Sequence, residues 1–425
     1  MKANYACQSP EHHMARRQFL AGLSGGLAVG GLASLASPSA TAFLNRRQMR
    51  VLVVFLSGGV SQLESWDPKP KTNTGGPFRA IPTSVPGIHI SELLPRTAVH
   101  MDKLALVRSI DTKNSDHGKG RYQMEFGRNQ MPGIEYPHLG SLCAKGLESS
   151  ENPLPGHIRI GGGSRGSDAA WLGPRYASVG MDGKPPANSE RPSGLTEEAD
   201  LLRSRFRERA NSRFLQQRRT AETDVYTQSF NQAKELMARR DVFDVEKEPA
   251  SERDRYGDSQ LGRHCLMARR LLENGIPFVQ VSHSNYDTHN ENFNFHIEQL
   301  GEFDAAFSTL MDDLHQRGML ETTLVVVMSE FGRTPKINSR YGRDHWGKAW
   351  SICLGGAGIQ AGAVIGATNE NGTEVVERPV DHGHLFHTYL SAVGIDSAGS
   401  FNIDGREMPI ADPSHSAITE LLRSV

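Results

Sequence analysis

Three short runs in the second half of the chain concentrate side chains that can hold a metal ion or move a proton. They are Ser284-Asn285-Tyr286-Asp287-Thr288-His289-Asn290, Ser329-Glu330-Phe331-Gly332-Arg333 and Gly342-Arg343-Asp344-His345-Trp346. Carboxylate oxygen and imidazole nitrogen are the donors that borderline and hard divalent ions take. Asp287, His289, Glu330, Asp344 and His345 are therefore the candidate metal ligands. Arg333, with its planar fork of donors, is the candidate clamp for a substrate oxyanion. Plainer roles stay open on local sequence: Asp287 capping a polar turn, Glu330 capping a following helix.

Two earlier runs add groups of other kinds. In Gly58-Gly59-Val60-Ser61-Gln62 a hydroxyl follows two glycines, which makes Ser61 the candidate nucleophile, although no Gly-x-Ser-x-Gly spacing surrounds it. In Asp116-His117-Gly118, His117 is the candidate acid/base group. Near the C-terminus, His384 and His387 stand three apart at the start of a helical pattern and could share an ion. Capping and exposure are the expected roles there.

These groups need stiff supports. Met49 to Leu56, Leu104 to Arg108, Ile276 to Ser282, Thr323 to Met328, Trp350 to Leu354 and Ala363 to Ala367 are apolar runs without polar alternation. Such runs predict strands buried on both faces. Helical spacing of apolar residues covers Leu139 to Leu147, Gln260 to Glu273, Phe293 to Arg317 and Leu385 to Val393, with Asn274-Gly275, Gly318 and Gly394 as stops. Alternation of strand and helix predicts an α/β fold with a mostly parallel sheet, whose ligands collect beyond the carboxyl ends of the strands. Two stretches break that rhythm. Ser149 to Pro192 is rich in Gly and Pro, and its Gly161-Gly162-Gly163 reads as a loop rather than a phosphate cradle, since no Lys-Ser/Thr follows. Thr196 to Arg240 is charged and helical in composition, and predicts a surface insert over about 196–250. Its Arg203, Arg205, Arg207 and Arg209 read as a solvated face, with an anion-binding cap as the alternative.

The chain holds 47 basic and 48 acidic residues, a formal net charge of −1, so no nucleic-acid footprint is expected. Arg16-Arg17-Gln18-Phe19-Leu20, an 18-residue run of small and apolar residues from Phe19 to Ala36, and Ala40-Thr41-Ala42 predict a twin-arginine export signal over 1–42. The run is short and weakly apolar for a membrane span, so no stable transmembrane anchor is expected. The expected location is periplasmic or secreted, with the twin-arginine machinery as a partner. Beyond the signal, Cys143, Cys265 and Cys353 are far apart and predict buried free thiols rather than a disulfide framework or zinc ribbon.

Taken together, the motifs resemble a family of exported bacterial proteins of unknown function within the alkaline phosphatase–sulfatase-like superfamily. The resemblance rests on Phe55-Leu56-Ser57-Gly58-Gly59-x-Ser61-Gln62, Trp66-Asp67-Pro68-Lys69-Pro70, Asp287-Thr288-His289, Glu330-Phe331-Gly332-Arg333-Thr334-Pro335, Gly342-Arg343-Asp344-His345-Trp346 and Val364-Ile365-Gly366-Ala367-Thr368. It implies a central mostly parallel sheet sandwiched by helices over 43–425. It also implies one or two divalent ions (Zn, Ca, Mg or Mn) at strand ends. The implied activity is hydrolysis of phosphate- or sulfate-type esters, on a small molecule or carbohydrate. Asp287 and His289 resemble the superfamily's mid-chain Asp/His pair, and His345 its late histidine ligand. Two features depart from the pattern. Ser57-Gly58-Gly59 occupies the turn where the superfamily has a first-strand carboxylate, and the sulfatase Cys-x-Pro-x-Arg motif is absent. The departures argue against formylglycine-type sulfatase chemistry and leave a non-catalytic binding or assembly protein as the alternative.

Overall fold

The continuous apolar runs form the middle of an eight-stranded sheet. The computed structural model describes residues 49–148, 152, 154–163, 168–186, 189–217, 221–403 and 405–423. The expected export signal lies outside the described residues. In chain order the sheet strands are β1 (Arg50–Leu56), β2 (Leu104–Ile110), β3 (His157–Ile160), β4 (Val179–Met181), β5 (Phe278–His283), β6 (Thr323–Met328), β7 (Trp350–Gly356) and β8 (Val364–Ile365). Their spatial order is β8-β2-β7-β6-β1-β5-β3-β4. Every pairing is parallel except those of β7, which runs against both β2 and β6.

The lack of alternation in β1 has a direct cause. Leu52, Val54 and Leu56 enter one core, while Val51, Val53 and Phe55 enter the other, and all six are fully buried. Period-2 projection onto two apolar layers requires an apolar residue at every position. Helices α5 (Gln260–Glu273) and α6 (Asn292–Gln316) cover the first face. Helices α1 (His117–Phe126), α2 (Leu139–Gly146) and α7 (His382–Ala392) cover the second. Helices α3 (Glu197–Gln217) and α4 (Ala221–Ala238) lie between β4 and α5 in the chain.

β6 and α5 have the bounds expected from sequence. β3 and β4 have no counterpart among the expected strands and lie in the Gly/Pro-rich stretch. β3 is four residues long, and its polar members His157 and Arg159 are both buried. A short strand that buries a cation carries no apolar run to betray it. Cys143, Cys265 and Cys353 are buried and free, as expected. Among the described residues no helix is long and apolar enough to cross a membrane.

Candidate metal centre

One edge of the sheet gathers the chemistry. β1, β2, β5 and β6 end there, and antiparallel β7 begins there. The turn after β1 supplies Gly58 and Gly59. The start of α1, beyond β2, supplies His117. The loop after β5 supplies Asp287 and His289, and the residues after β6 supply Glu330 and Arg333. A two-stranded ribbon pairs Gly332–Arg333 with His345–Trp346 just before β7. The single antiparallel strand thus lets a fifth segment enter at the same edge.

Three imidazoles surround Asp287, each tied from behind. His289 Nδ1 is 2.7 Å from Asp344 Oδ1, His345 Nδ1 is 2.9 Å from the Ser115 carbonyl, and His117 Nδ1 is 2.8 Å from Glu330 Oε1. A carbonyl or carboxylate oxygen accepts, so each Nδ1 donates and each ring turns its Nε2 toward Asp287. Those Nε2 atoms converge. His289 Nε2 and His345 Nε2 are 3.0 Å apart, and they lie 3.2 and 3.1 Å from Asp287 Oδ1. His117 Nε2 is 3.4 Å from Asp287 Oδ2. The ligand atoms of His117, Asp287 and His345 all fall within 4.8 Å of one another. Oxygen or carboxylate support behind each imidazole, with the far nitrogens gathered around one carboxylate, is how metal-binding histidines are oriented. The donor set therefore fits a divalent ion.

The carboxylate at the centre is ionised. Burial opposes its charge, but Arg333 and His345 outweigh that and hold the Asp287 carboxyl well below the usual range. The hydrogen bond to Glu330 is the main cause that raises the His117 pKa, against partial burial. His289 is the main partner that lowers the pKa of Asp344.

Backbone contacts explain the glycines. A Cβ on Gly58, whose φ is +119°, would meet Asp287 N at 2.5 Å. A Cβ on Gly120 would lie 2.7 Å from the Glu330 carbonyl, so α1 packs against the end of β6 only because this position is bare. Gly58 N–H donates to Glu330 Oε1 at 2.9 Å. Gly59 and Val60 N–H donate to Ser329 Oγ at 3.1 and 3.2 Å.

The candidate ligands thus divide by position. Asp287, His289 and His345 face one another, whereas Glu330 and Asp344 stand behind His117 and His289. Arg333 is fully buried and its guanidinium is engaged. It donates to the carbonyls of Gly58, Gly59 and Arg343 and, at 2.6 Å, to Asp287 Oδ1. It orients Asp287 and ties the turn after β1 to the ribbon, rather than standing free for a substrate. Ser61 is enclosed as well: it is fully buried, and its N–H donates to His296 Nε2 at 3.1 Å. A solvent-excluded hydroxyl is poorly placed as a nucleophile.

Sequence reasoning missed two supports. Glu64 and Arg343 are both fully buried and form a two-point ion pair, 2.8 and 3.1 Å, linking the segment after β1 to the residue before Asp344. Their charged types inside a Gly-rich loop were the available signal. Ser115 holds His345 through its backbone carbonyl and Gly347 N–H through its Oγ at 3.1 Å, and its residue type carries no such signal.

At the C-terminal group, Asp381 caps α7 through Gly383 N and His384 N at 3.0 and 3.3 Å. His384 completes a capping box, and His387 is buried against Ser397 and the Asp412 carbonyl. His384 and His387 do not meet. His415 instead reaches Asp381 Oδ2 at 3.0 Å.

A family model covers residues 48–422, nearly the whole described chain. The protein belongs to DUF1501, a family of proteins of unknown function. No curated protein matches the sequence. Several solved structures align with the chain at low identity and with TM-scores near 0.40. The lipoteichoic acid synthase LtaP from Listeria monocytogenes aligns with a TM-score of 0.40 and 8% identity, over 89% of this chain and 78% of its own. The PsFucS1 sulfatase from Pseudoalteromonas sp. aligns with a TM-score of 0.40 and 14% identity, over 84% and 70%. The phosphonate monoester hydrolase SpPMH from Silicibacter pomeroyi aligns with a TM-score of 0.40 and 12% identity, over 84% and 75%.

Proposed function

We propose that this DUF1501 protein is an exported, metal-dependent hydrolase of phosphate- or sulfate-type esters. The observation that carries the reading is the convergence of His289 Nε2, His345 Nε2 and Asp287 Oδ1 within 3.0–3.2 Å, with each imidazole Nδ1 already committed to an oxygen. Two imidazoles and one carboxylate leave a further coordination position open, the pattern of catalytic rather than structural zinc sites. A divalent ion bound there would polarise an ester oxygen and favour an attacking oxygen nucleophile. Asp287, His289 and His345 hold the ion in this reading. Glu330 and Arg333 position His117 and Asp287. His117 is the acid/base group: Glu330 fixes its tautomer and raises its basicity, and its side chain is 40% exposed, open to substrate. With Ser61 enclosed, the nucleophile is water. The substrate is a small-molecule or carbohydrate ester.

The test has two parts. Metal analysis of the purified protein should find at least one ion per chain, and His345→Ala should abolish it while His117→Ala keeps it. Aryl phosphates or aryl sulfates should turn over in the loaded protein and not in His117→Ala. A protein that binds no ion sinks the metal reading. The enclosure of Ser61 favours a second reading, a binding or assembly protein on the same fold. That reading is the outcome if the ion binds but no ester is turned over.

A further inference from the structure

Helix α3 is inside out. Its inward residues are small or polar: Ser204 is buried, Asn211 donates to Thr227 Oγ1 at 3.0 Å, and the Arg207 guanidinium lies over the Phe230 ring. Of its described large apolar residues, Leu201 is 45%, Leu202 59%, Phe206 77% and Phe214 45% exposed. A surface helix ordinarily buries its apolar stripe. Arginines interleave with that stripe, and Leu202, Phe206, Arg203, Arg205 and Arg209 line an open groove of about 820 Å³. At 100° per residue, Leu201, Arg205, Arg209, Leu202 and Phe206 fall in that order across an arc of about 140°. Of the four acidic residues on α3, Glu197, Glu198 and Asp200 lie in the first turn and Glu208 at the edge of this face beside Leu201, so Arg205 and Arg209 with the neighbouring Arg203 and Arg213 leave the face net basic.

We propose that this face of α3 docks on an anionic lipid surface. Apolar side chains flanked by arginine, on a helix lying flat, are the composition of an interfacial helix, where Leu and Phe enter the acyl boundary and Arg heads remain at the phosphates. The alternative of a second copy fails on charge. A two-fold contact buries the same net-basic patch on both copies, so the excess of arginine over acid is doubled rather than neutralised, whereas an anionic surface neutralises it. The molecule as a whole carries a formal charge of −1, so attraction to an anionic surface must be local.

The test is sedimentation of the full chain with vesicles of phosphatidylglycerol and phosphatidylcholine (1:1) and of phosphatidylcholine alone. Leu202→Ser/Phe206→Ser and Arg205→Gln/Arg209→Gln are compared with wild type. Both pairs lie on exposed positions, and circular dichroism checks that the fold is kept. Binding to the anionic vesicles alone, weakened at least tenfold by either double variant, is the expected result. Binding that survives Leu202→Ser/Phe206→Ser, as an apolar N-terminus would give, overturns the proposal. So does equal binding to both vesicles, or no binding. A concentration-dependent dimer abolished by the same variant would assign the face to a second copy and also overturn it.

Discussion

Arg343→Met should unfold the candidate centre from beneath. Arg343 has five N–H donors and uses all of them. Nε and Nη2 donate to Glu64 at 3.1 and 2.8 Å, Nη1 donates to the carbonyls of Thr334 and Pro335 at 3.1 and 2.5 Å, and Nη2 also donates to that of Thr74 at 2.7 Å. Removing it strands Glu64 in a fully buried site with one remaining side-chain donor, Asn292 Nδ2 at 3.0 Å. Breaking one side of a buried pair costs about 3–5 kcal/mol. That is a large share of the roughly 5–15 kcal/mol that holds a folded chain. Arg343 also immediately precedes Asp344 and His345, so the loss should reach metal binding.

Urea unfolding at pH 7 measures the cost, and its pH dependence identifies the cause. In the wild type, burial opposes the charge on Glu64 but Arg343 prevails, and its pKa lies below the usual 4.5. Its contribution is therefore present above about pH 4.5 and lost as pH falls further. In Arg343→Met the largest opponent of burial is gone and only the weaker influences of His296, Ser61 and Asn292 remain, so the folded pKa rises. The contribution then is full below about pH 4.5 and is lost as pH rises, so the variant's deficit should be smaller at pH 5 than at pH 8. Glu64→Met/Arg343→Met removes both charges and should recover most of the loss. If the double variant costs the sum of the two single ones within about 0.5 kcal/mol, the pair is not coupled and the reasoning is refuted.

Asp344→Asn should weaken metal affinity by about 10–100-fold with the fold intact, since Asp344 orients His289 from behind; chelator competition reads this. Gly120→Ala should destabilise by about 1–3 kcal/mol and also weaken metal binding, because its Cβ would collide with the Glu330 carbonyl and displace the start of α1, together with the Ser115 carbonyl just before it that holds His345. His296 is held neutral by burial, with its pKa pushed down to about 4. Its contribution to stability is full above the unfolded value of about 6.5 and is lost as pH falls toward 4, by up to about 1.4 kcal/mol per unit. His296→Gln should flatten that slope in acid unfolding, and a slope unchanged would remove His296 as its cause. Saturating the centre with a divalent ion at about 100 times its Kd should add about 2.7 kcal/mol in urea unfolding, and this gain should vanish in His345→Ala.

The frame of the fold was legible because its signals are local. Thr323–Met328 projects alternate residues into two apolar layers, and the resulting unbroken run could be only a doubly buried strand or a buried helix segment. The placement of His117, Asp287, His289 and His345 at one sheet edge followed from strand ends. Their division of labour did not, because it depends on contacts far apart in sequence. Glu330 and Asp287 are both acidic residues just past a strand. One stands behind His117 and the other faces three imidazoles, and nothing within either motif distinguishes them. The same limit applies to Arg333. Its position invited a substrate role, yet its donors are taken by carbonyls of Gly58 and Gly59, residues more than 270 positions away. β3 was illegible for a different reason: Arg159 is buried against Glu125 at 3.1 Å, so the strand hides a charge pair where apolar residues would have announced it.

Arg333 and Arg343 together account for a feature that the ion alone would not. An ion can gather flexible ligands, but it then bears the cost of ordering them. Here the ribbon carrying His345 is tied to the β1 turn through Arg333 and to the segment after it through Arg343 and Glu64, and both arginines are fully buried. The imidazoles are held by Asp344, Glu330 and the Ser115 carbonyl. Their geometry is therefore set by protein hydrogen bonds, and the binding energy of an ion need not be spent on ordering the loops. A centre arranged this way should lose affinity when its arginines are removed even though neither touches the ion, which separates preorganisation from ligation as the source of its strength.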